Sequence, residues 1–407
     1  MEWKKLIDEN DAQPFNEKLS QISEALGNHF SKPEENISLM GGKIGVAIYY
    51  FYYARFTGDD SYADRAVDMI SEVFDAINNG FTYHTQAGGL AGIGWVLEHL
   101  VQSGYLDTDT NEILEPLDPY LYKAMMHEIG NKHYDFLHGA VGIGSYFLHR
   151  LTNPNAKTYI TELVDKMAEI AHKDDDGAMK WESVLNIEEG NKGYNLSLSH
   201  GISAIIAFFA KVIEADIHKE KTTALLEGSV KYLLKNRLDR SKHLSNFPSW
   251  IDDKQEKAHS RLAWCYGDLG NGLALLQAAR SIGNKDWEKI AIDILVDSTS
   301  RRDVKENMVI DAGLCHGGAG IMHIYNRAYN YTGLDIFKET ALYWAQETLK
   351  LARFEDGYAG FKAWHTEKYG GWLNEAGLLE GVSGIGLAFI SLLADIEPGW
   401  DRCLFIS

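Results

Sequence analysis

Two segments about fifty residues apart, RLAWCYGDLGNG from Arg261 and AGLCHGGAGI from Ala312, carry two of the chain's three cysteines and one histidine in matching glycine-rich surroundings. Cys265, Cys315 and His316 amount to two thiolates and an imidazole, the soft and borderline donors that suit Zn²⁺. Three protein ligands leave the fourth tetrahedral position open, which is the arrangement of a catalytic zinc. Two plainer readings stand beside it. One is a buried apolar thiol pair with a capping histidine. The other is a closed structural site, which needs a fourth ligand from Cys403 or another histidine.

These residues must be positioned by something, and the chain is visibly repetitive. GxxG recurs at Gly42 to Gly45, Gly89 to Gly92, Gly139 to Gly142, Gly267 to Gly270, Gly317 to Gly320 and Gly381 to Gly384, with a degenerate copy from Gly201. Successive first glycines are 47, 50, 62, 66, 50 and 64 residues apart, the self-similarity of a repeat architecture. Each motif leads into a nearly all-apolar run such as GVAIYYFYYARF or GIGLAFISLLA, and a helix apolar all round is a buried one. Between these runs lie amphipathic segments beginning near Asn16, Ser61, Pro119, Lys157, Thr222, Lys285 and Asp335. In SYADRAVDMISEVFDAI the spacing predicts a buried stripe of Ala63, Val67, Ile70, Phe74 and Ile77.

Seven buried and seven one-sided helices predict an all-α fold, an α/α toroid of seven helical hairpins forming one domain over residues 1–407. The chain opens with an outer-type helix carrying Phe15, Leu19, Ile22 and Leu26 and ends with an inner-type one after Gly384, so its two ends supply the seventh hairpin. The glycines read as architectural, since helix starts that converge at one end of a ring leave little room for side chains. They set Gly41, Gly88, His138, His200, Tyr266, His316 and Glu380 around one mouth at helix N-termini, where anions and thiolates are favoured. Three long aromatic-rich connections, residues 174–199, 238–260 and 353–379, are expected to roof that mouth. They offer Trp181, Trp250, Trp364 and Trp372 to a flexible substrate or simply to packing.

Composition sets the outer bounds. A formal charge of −19 argues against a nucleic-acid partner, which requires clustered Lys and Arg. Three cysteines cannot build a disulfide framework and fit a reducing compartment. No run approaches the length of a membrane span and the start has no signal-peptide core, so the expectation is a soluble cytoplasmic protein. Cys403, near the end and outside any glycine motif, reads as incidental.

Taken together, WCYG at residues 264–267 and CHGGAG at residues 315–320, within seven GxxG hairpins, resemble the lanthionine cyclase family over almost the whole chain. The resemblance implies zinc held by Cys265, Cys315 and His316. It also implies functional roles for Tyr134 and Asp135 in the family's YD motif, His200 in the NLxLxHG segment, Arg261, and Tyr266. The family closes thioether rings by adding a peptide cysteine thiol to a dehydroalanine or dehydrobutyrine. On that basis the partners implied are a dehydrated precursor peptide, a dehydratase and an exporter, the last two placing the protein peripherally at a membrane. One departure is the stretch GYLDTDTNEILEPLDP, a short polar connection where some members carry an inserted domain.

Read from the residues alone, His200 is equally a helix-capping histidine, Asp135 a capping carboxylate and Arg261 a loop salt bridge. His138, His323 and His365 carry no assigned role. Two other functions remain open: a non-catalytic zinc-containing peptide-binding scaffold, and an enzyme that adds glutathione to dehydrated residues.

Overall fold

The computed structural model describes residues 2–31, 34–186, 190–252 and 258–407; parts of two of the three long connections, residues 187–189 and 253–257, lie outside these. In chain order the helices are α1 (Gln13–His29), α2 (Lys43–Thr57), α3 (Ser61–Asn78), α4 (Leu90–Gln102), α5 (Thr110–Leu114), α6 (Asp118–Gly130), α7 (Ala140–His149) and α8 (Ala156–Ile170). They continue with α9 (Ile202–Glu214), α10 (Lys219–Lys235), α11 (Asp268–Ile282), α12 (Lys285–Ser298), α13 (Gly318–Thr332), α14 (Asp335–Lys350) and α15 (Val382–Leu393). Every glycine motif therefore starts a helix, α2, α4, α7, α9, α11, α13 and α15, and each of these is buried along nearly its whole length. No helix among the described residues is long and apolar enough to cross a membrane.

The chain divides into two compact units. The first comprises Met1–Tyr83, Ala87–Gly89 and Arg302–Trp400. In it the inner helices α13, α15 and α2 pack side by side, with α14, α1 and α3 against them. The first and last helices, α1 and α15, pair as the seventh hairpin; Phe15, Leu19, Ile22 and Leu26 are all fully buried, and Phe15 meets Phe389 edge to face. The second unit comprises His84–Gln86, Leu90–Arg301 and Asp401–Ser407. There α4, α7, α9 and α11 follow one another, α10 and α12 cover α9 and α11, and α6 leans on α7 and α8.

The outer helix α3 departs from its expected register. Ala66, Met69, Ile70 and Val73 form the buried face, while Val67 is 48% exposed and Ala63, Phe74 and Ile77 are half-buried at its margins. The apolar arc of this segment is wide enough for two overlapping i, i+4, i+7 stripes.

The long connections carry short antiparallel strands. A hairpin joins β1 (His172–Lys173) to β2 (Met179–Lys180), and β3 (Ser183–Asn186), β4 (Asn191–Asn195) and β5 (Trp250–Ile251) form one sheet in that order. In the first unit β6 (Ala363–Trp364) pairs with β7 (Trp372–Leu373). Trp181, offered above as a possible substrate contact, is instead a core residue, 2% exposed with its indole N–H donating to the Met167 carbonyl at 2.9 Å. Trp364 and Trp372 are half-buried against each other with ring centres 5.2 Å apart, and Trp250 is 41% exposed.

Candidate metal centre

A repeated backbone device holds the turn ahead of each inner helix. The amides of Leu314 and Cys315 both donate to the Leu379 carbonyl, Leu379 N donates to Met40 O, and Met40 N to Ala87 O. In the second unit Leu198 N donates to Cys265 O in the same way. Met40, Ala87, Cys265, Cys315 and Leu379 all stand two residues before the first glycine of their motif, so the hydrogen bonds link equivalent points of neighbouring repeats. In five of the motifs the second glycine packs under the turn: a Cβ at Gly45, Gly142 or Gly320 would sit 2.0 Å from the carbonyl oxygen six residues earlier, and Gly270 and Gly384 are similarly close. Glycine is required there by proximity, not by torsion. Gly267 is different, with φ 97°, a left-handed conformation that an L side chain strains, immediately after Cys265 and Tyr266.

These turns bring the ligand atoms of Cys265, Cys315 and His316 within 4.8 Å of one another, and no further His, Cys, Asp or Glu among the described residues joins the group. Two sulfurs and an imidazole on tetrahedral zinc stand about 3.5–3.8 Å apart, as follows from bond lengths of about 2.3 and 2.0 Å. The group thus needs to contract by only about an ångström around an ion. Its chemistry and placement fit zinc with three protein ligands. Cys403 is not among them: it is fully buried, and burial pushes its thiol pKa well up.

The surroundings of His316 fit as well. Its Nε2 lies 3.5 Å from Oδ2 of Asp311, which is buried and also accepts hydrogen bonds from Gly313 N at 3.2 Å and Trp364 N at 2.9 Å. Burial alone would raise the Asp311 carboxyl, but His316 and these amides hold it below the usual carboxylate range. Glu380, at the equivalent point of the last repeat, is the reverse case. Burial raises its carboxyl, against the opposing pull of His316 and His365. His365 faces Glu375 at 3.3 Å and Glu380 at 3.8 Å.

A second constellation lies wholly in the second unit, which also holds Cys265. His200 Nδ1 is 2.7 Å from Asp135 Oδ2, and the other oxygen of that carboxylate accepts the His138 backbone N–H at 2.8 Å. Burial disfavours a charged His200, but the Asp135 hydrogen bond and charge outweigh it, helped by Cys265, and its pKa rises above the ordinary histidine value. Asp135 is correspondingly lowered: burial opposes its charge, and His200 with the His138 amide overcomes that. His138 stacks on His200 with ring centres 5.9 Å apart, and burial lowers its pKa. Tyr266 accepts from Asn195 Nδ2 at 3.3 Å and is hydrogen-bonded with Ser197 as well. Arg261 is half-buried, with no ion pair to the described residues.

The model of lanthionine synthetase C-like proteins matches residues 33–405. The chain belongs to that family. Among solved structures, nisin cyclase aligns with this lanthionine synthetase C-like protein at a TM-score of 0.76 and 17% identity, covering 98% of each chain. At that identity the likeness speaks to fold alone, and the fold is the expected α/α toroid. Cellobiose 2-epimerase from Bacillus thermoamylovorans aligns at 0.45 and 11% identity over 92% of this chain and 98% of that one, too distantly to inform the site. Comparison with curated proteins gives no match.

In this lanthionine synthetase C-like protein the three predicted ligands come together, and His200 meets Asp135 directly. Tyr134 plays a packing part: its buried hydroxyl donates to the Trp181 carbonyl at 3.1 Å. His323 is a core residue, bonded to Ser391 Oγ at 3.1 Å and stacked on Trp400. Asp311 escaped sequence reasoning, although a carboxylate five residues before a ligand histidine, in the same turn, is a signal that could have raised it. Asn195, buried at the end of β4, also went unassigned, although it is the first residue of the NLxLxHG segment that holds His200.

Proposed function

We propose that this chain is a zinc-dependent lanthionine cyclase that closes (methyl)lanthionine rings in a dehydrated precursor peptide. The observation that carries this reading is the convergence of Cys265, Cys315 and His316, together with the His200–Asp135 pair at 2.7 Å. Zinc held by these residues supplies deprotonation of a substrate thiol at neutral pH while the two cysteine thiolates keep it electron-rich.

The chain's own residues account for the remainder. Sulfur attack on the β-carbon of a dehydroamino acid moves an electron pair onto the acceptor carbonyl as an enolate, which must be stabilised and then protonated at the α-carbon. The hydroxyl of Tyr266 and the guanidinium of Arg261 are the donors that suit the enolate oxygen. His200, whose pKa Asp135 raises, suits delivery of the α-proton. The thiol proton lost and the carbon proton gained balance, so the product has the substrate's mass. Holding donor and acceptor together replaces an improbable loop closure by a positioned encounter.

A dehydratase supplies the acceptor residues of such a substrate, and an exporter removes the product, which puts the enzyme in the cytoplasm beside a membrane-bound complex. A peptide-binding scaffold has no need of a His200 ring held 2.7 Å from the Asp135 carboxylate, and this geometry favours the enzyme. The test is incubation of the zinc-loaded protein with a dehydrated, cysteine-containing peptide in the presence of glutathione. Loss of free peptide thiol at constant mass supports the cyclase; a mass gain equal to glutathione assigns the addition reaction instead.

A further inference from the structure

We propose that Asp311 is the positioning residue of the metal centre, fixing His316 so that Nδ1 faces the ion and Nε2 carries the proton. This rests on the zinc reading above. Asp311 is 3% exposed, and its only cationic partner among the described residues is His316. A buried carboxylate without a lysine or arginine is costly to ionise. Here its oxygens are committed to three groups: Gly313 N–H on Oδ1, and Trp364 N–H with the His316 ring nitrogen on Oδ2. The first amide belongs to the ligand turn itself and the second to strand β6, so the carboxylate is clamped from both sides. A fixed anion facing Nε2 selects the tautomer with hydrogen there and leaves the Nδ1 lone pair for a metal. Its negative charge also raises the basicity of the imidazole as a ligand.

The arrangement ties hairpin β6–β7 to the metal ligand through a single carboxylate. Trp364 and Trp372 are held by the residue that orients His316, so the aromatic hairpin and the metal ligand are set in common register.

Two measurements test this. In chelator competition on the full chain, Asp311→Asn should weaken zinc binding by about 10–100-fold, the usual effect of losing such an outer carboxylate. A folded variant with unchanged affinity overturns the proposal. Independently of any variant, the wild-type protein loaded with cadmium and labelled on histidine nitrogen should show metal coupling to Nδ1 of His316. Coupling to Nε2 overturns the proposal even if Asp311→Asn fails to fold. A wild-type chain that binds no metal at all refutes instead the zinc reading on which this rests.

Discussion

Replacing Gly320 by alanine should disturb the metal centre without touching a ligand, and Gly45→Ala provides the matched control. The added methyl would lie 2.0 Å from the Leu314 carbonyl oxygen at Gly320 and 2.0 Å from the Leu39 carbonyl oxygen at Gly45, where ordinary contact begins at 3.4 Å. In both cases the turn must retreat by about an ångström or more, an overpacking that costs about 1–3 kcal/mol. The consequences then part. Leu314 precedes Cys315, and their two amides share the Leu379 carbonyl, so a retreat at Leu314 moves the ligand turn. Metal–ligand distances tolerate only about 0.2 Å. Leu39 precedes Met40, which is no ligand and reaches Cys315 only through Leu379, two backbone hydrogen bonds away. Both variants should therefore melt a few degrees lower as apo-proteins, in line with about 2–4 °C per kcal/mol for large domains. Only Gly320→Ala should lose at least about tenfold in zinc affinity by chelator competition. Equal zinc affinity in two folded, equally destabilised variants refutes the reasoning that the glycine turn places Cys315.

Cys315→Ala should abolish zinc binding and cyclisation together, read by metal analysis of the purified protein and by thiol loss from a dehydrated peptide. His200→Asn should keep full zinc content while cyclisation slows by about 10²–10⁴-fold, the usual contribution of a positioned acid; full activity removes it from the mechanism. Asp135→Asn removes the support that holds the His200 pKa above 6.5, so the alkaline limb of the rate profile should move to lower pH. Its effect on stability has two parts. The His200 share is complete below 6.5 and fades as pH rises through the higher native value, while the Asp135 share is complete above 3.8 and fades as pH falls through the lower native value. The variant's loss in stability, measured by denaturant unfolding, should thus be greatest between those two values and smaller at either extreme.

Much of this was legible because one structural unit recurs. Glycine two positions after Cys265 and Cys315 marks the start of an inner helix, and that alone sets both sulfurs at equivalent points of their turns. The pairing of α1 with α15 followed from the buried stripe Phe15, Leu19, Ile22 and Leu26 at one end of the chain and an all-apolar helix at the other. What failed to show depends on tertiary choice. Val67 and Ala66 are both apolar, and only the approach of a neighbouring helix decides which is buried. Trp181 reads like its exposed counterpart Trp250 until the fold supplies the Met167 carbonyl for its indole. The backbone hydrogen bonds that link the turns carry no side-chain signature. Asp311 shares them as one more acidic residue among 58 Asp and Glu, and its meaning lies in having His316 as its cationic partner.

The most direct test of the central claim is a free-thiol count on a dehydrated, cysteine-containing peptide as zinc is titrated into the metal-free protein. Thiols should disappear at constant peptide mass, with activity rising to a plateau at one zinc per chain. Thiols that persist at full zinc occupancy, or that disappear equally without metal, contradict it.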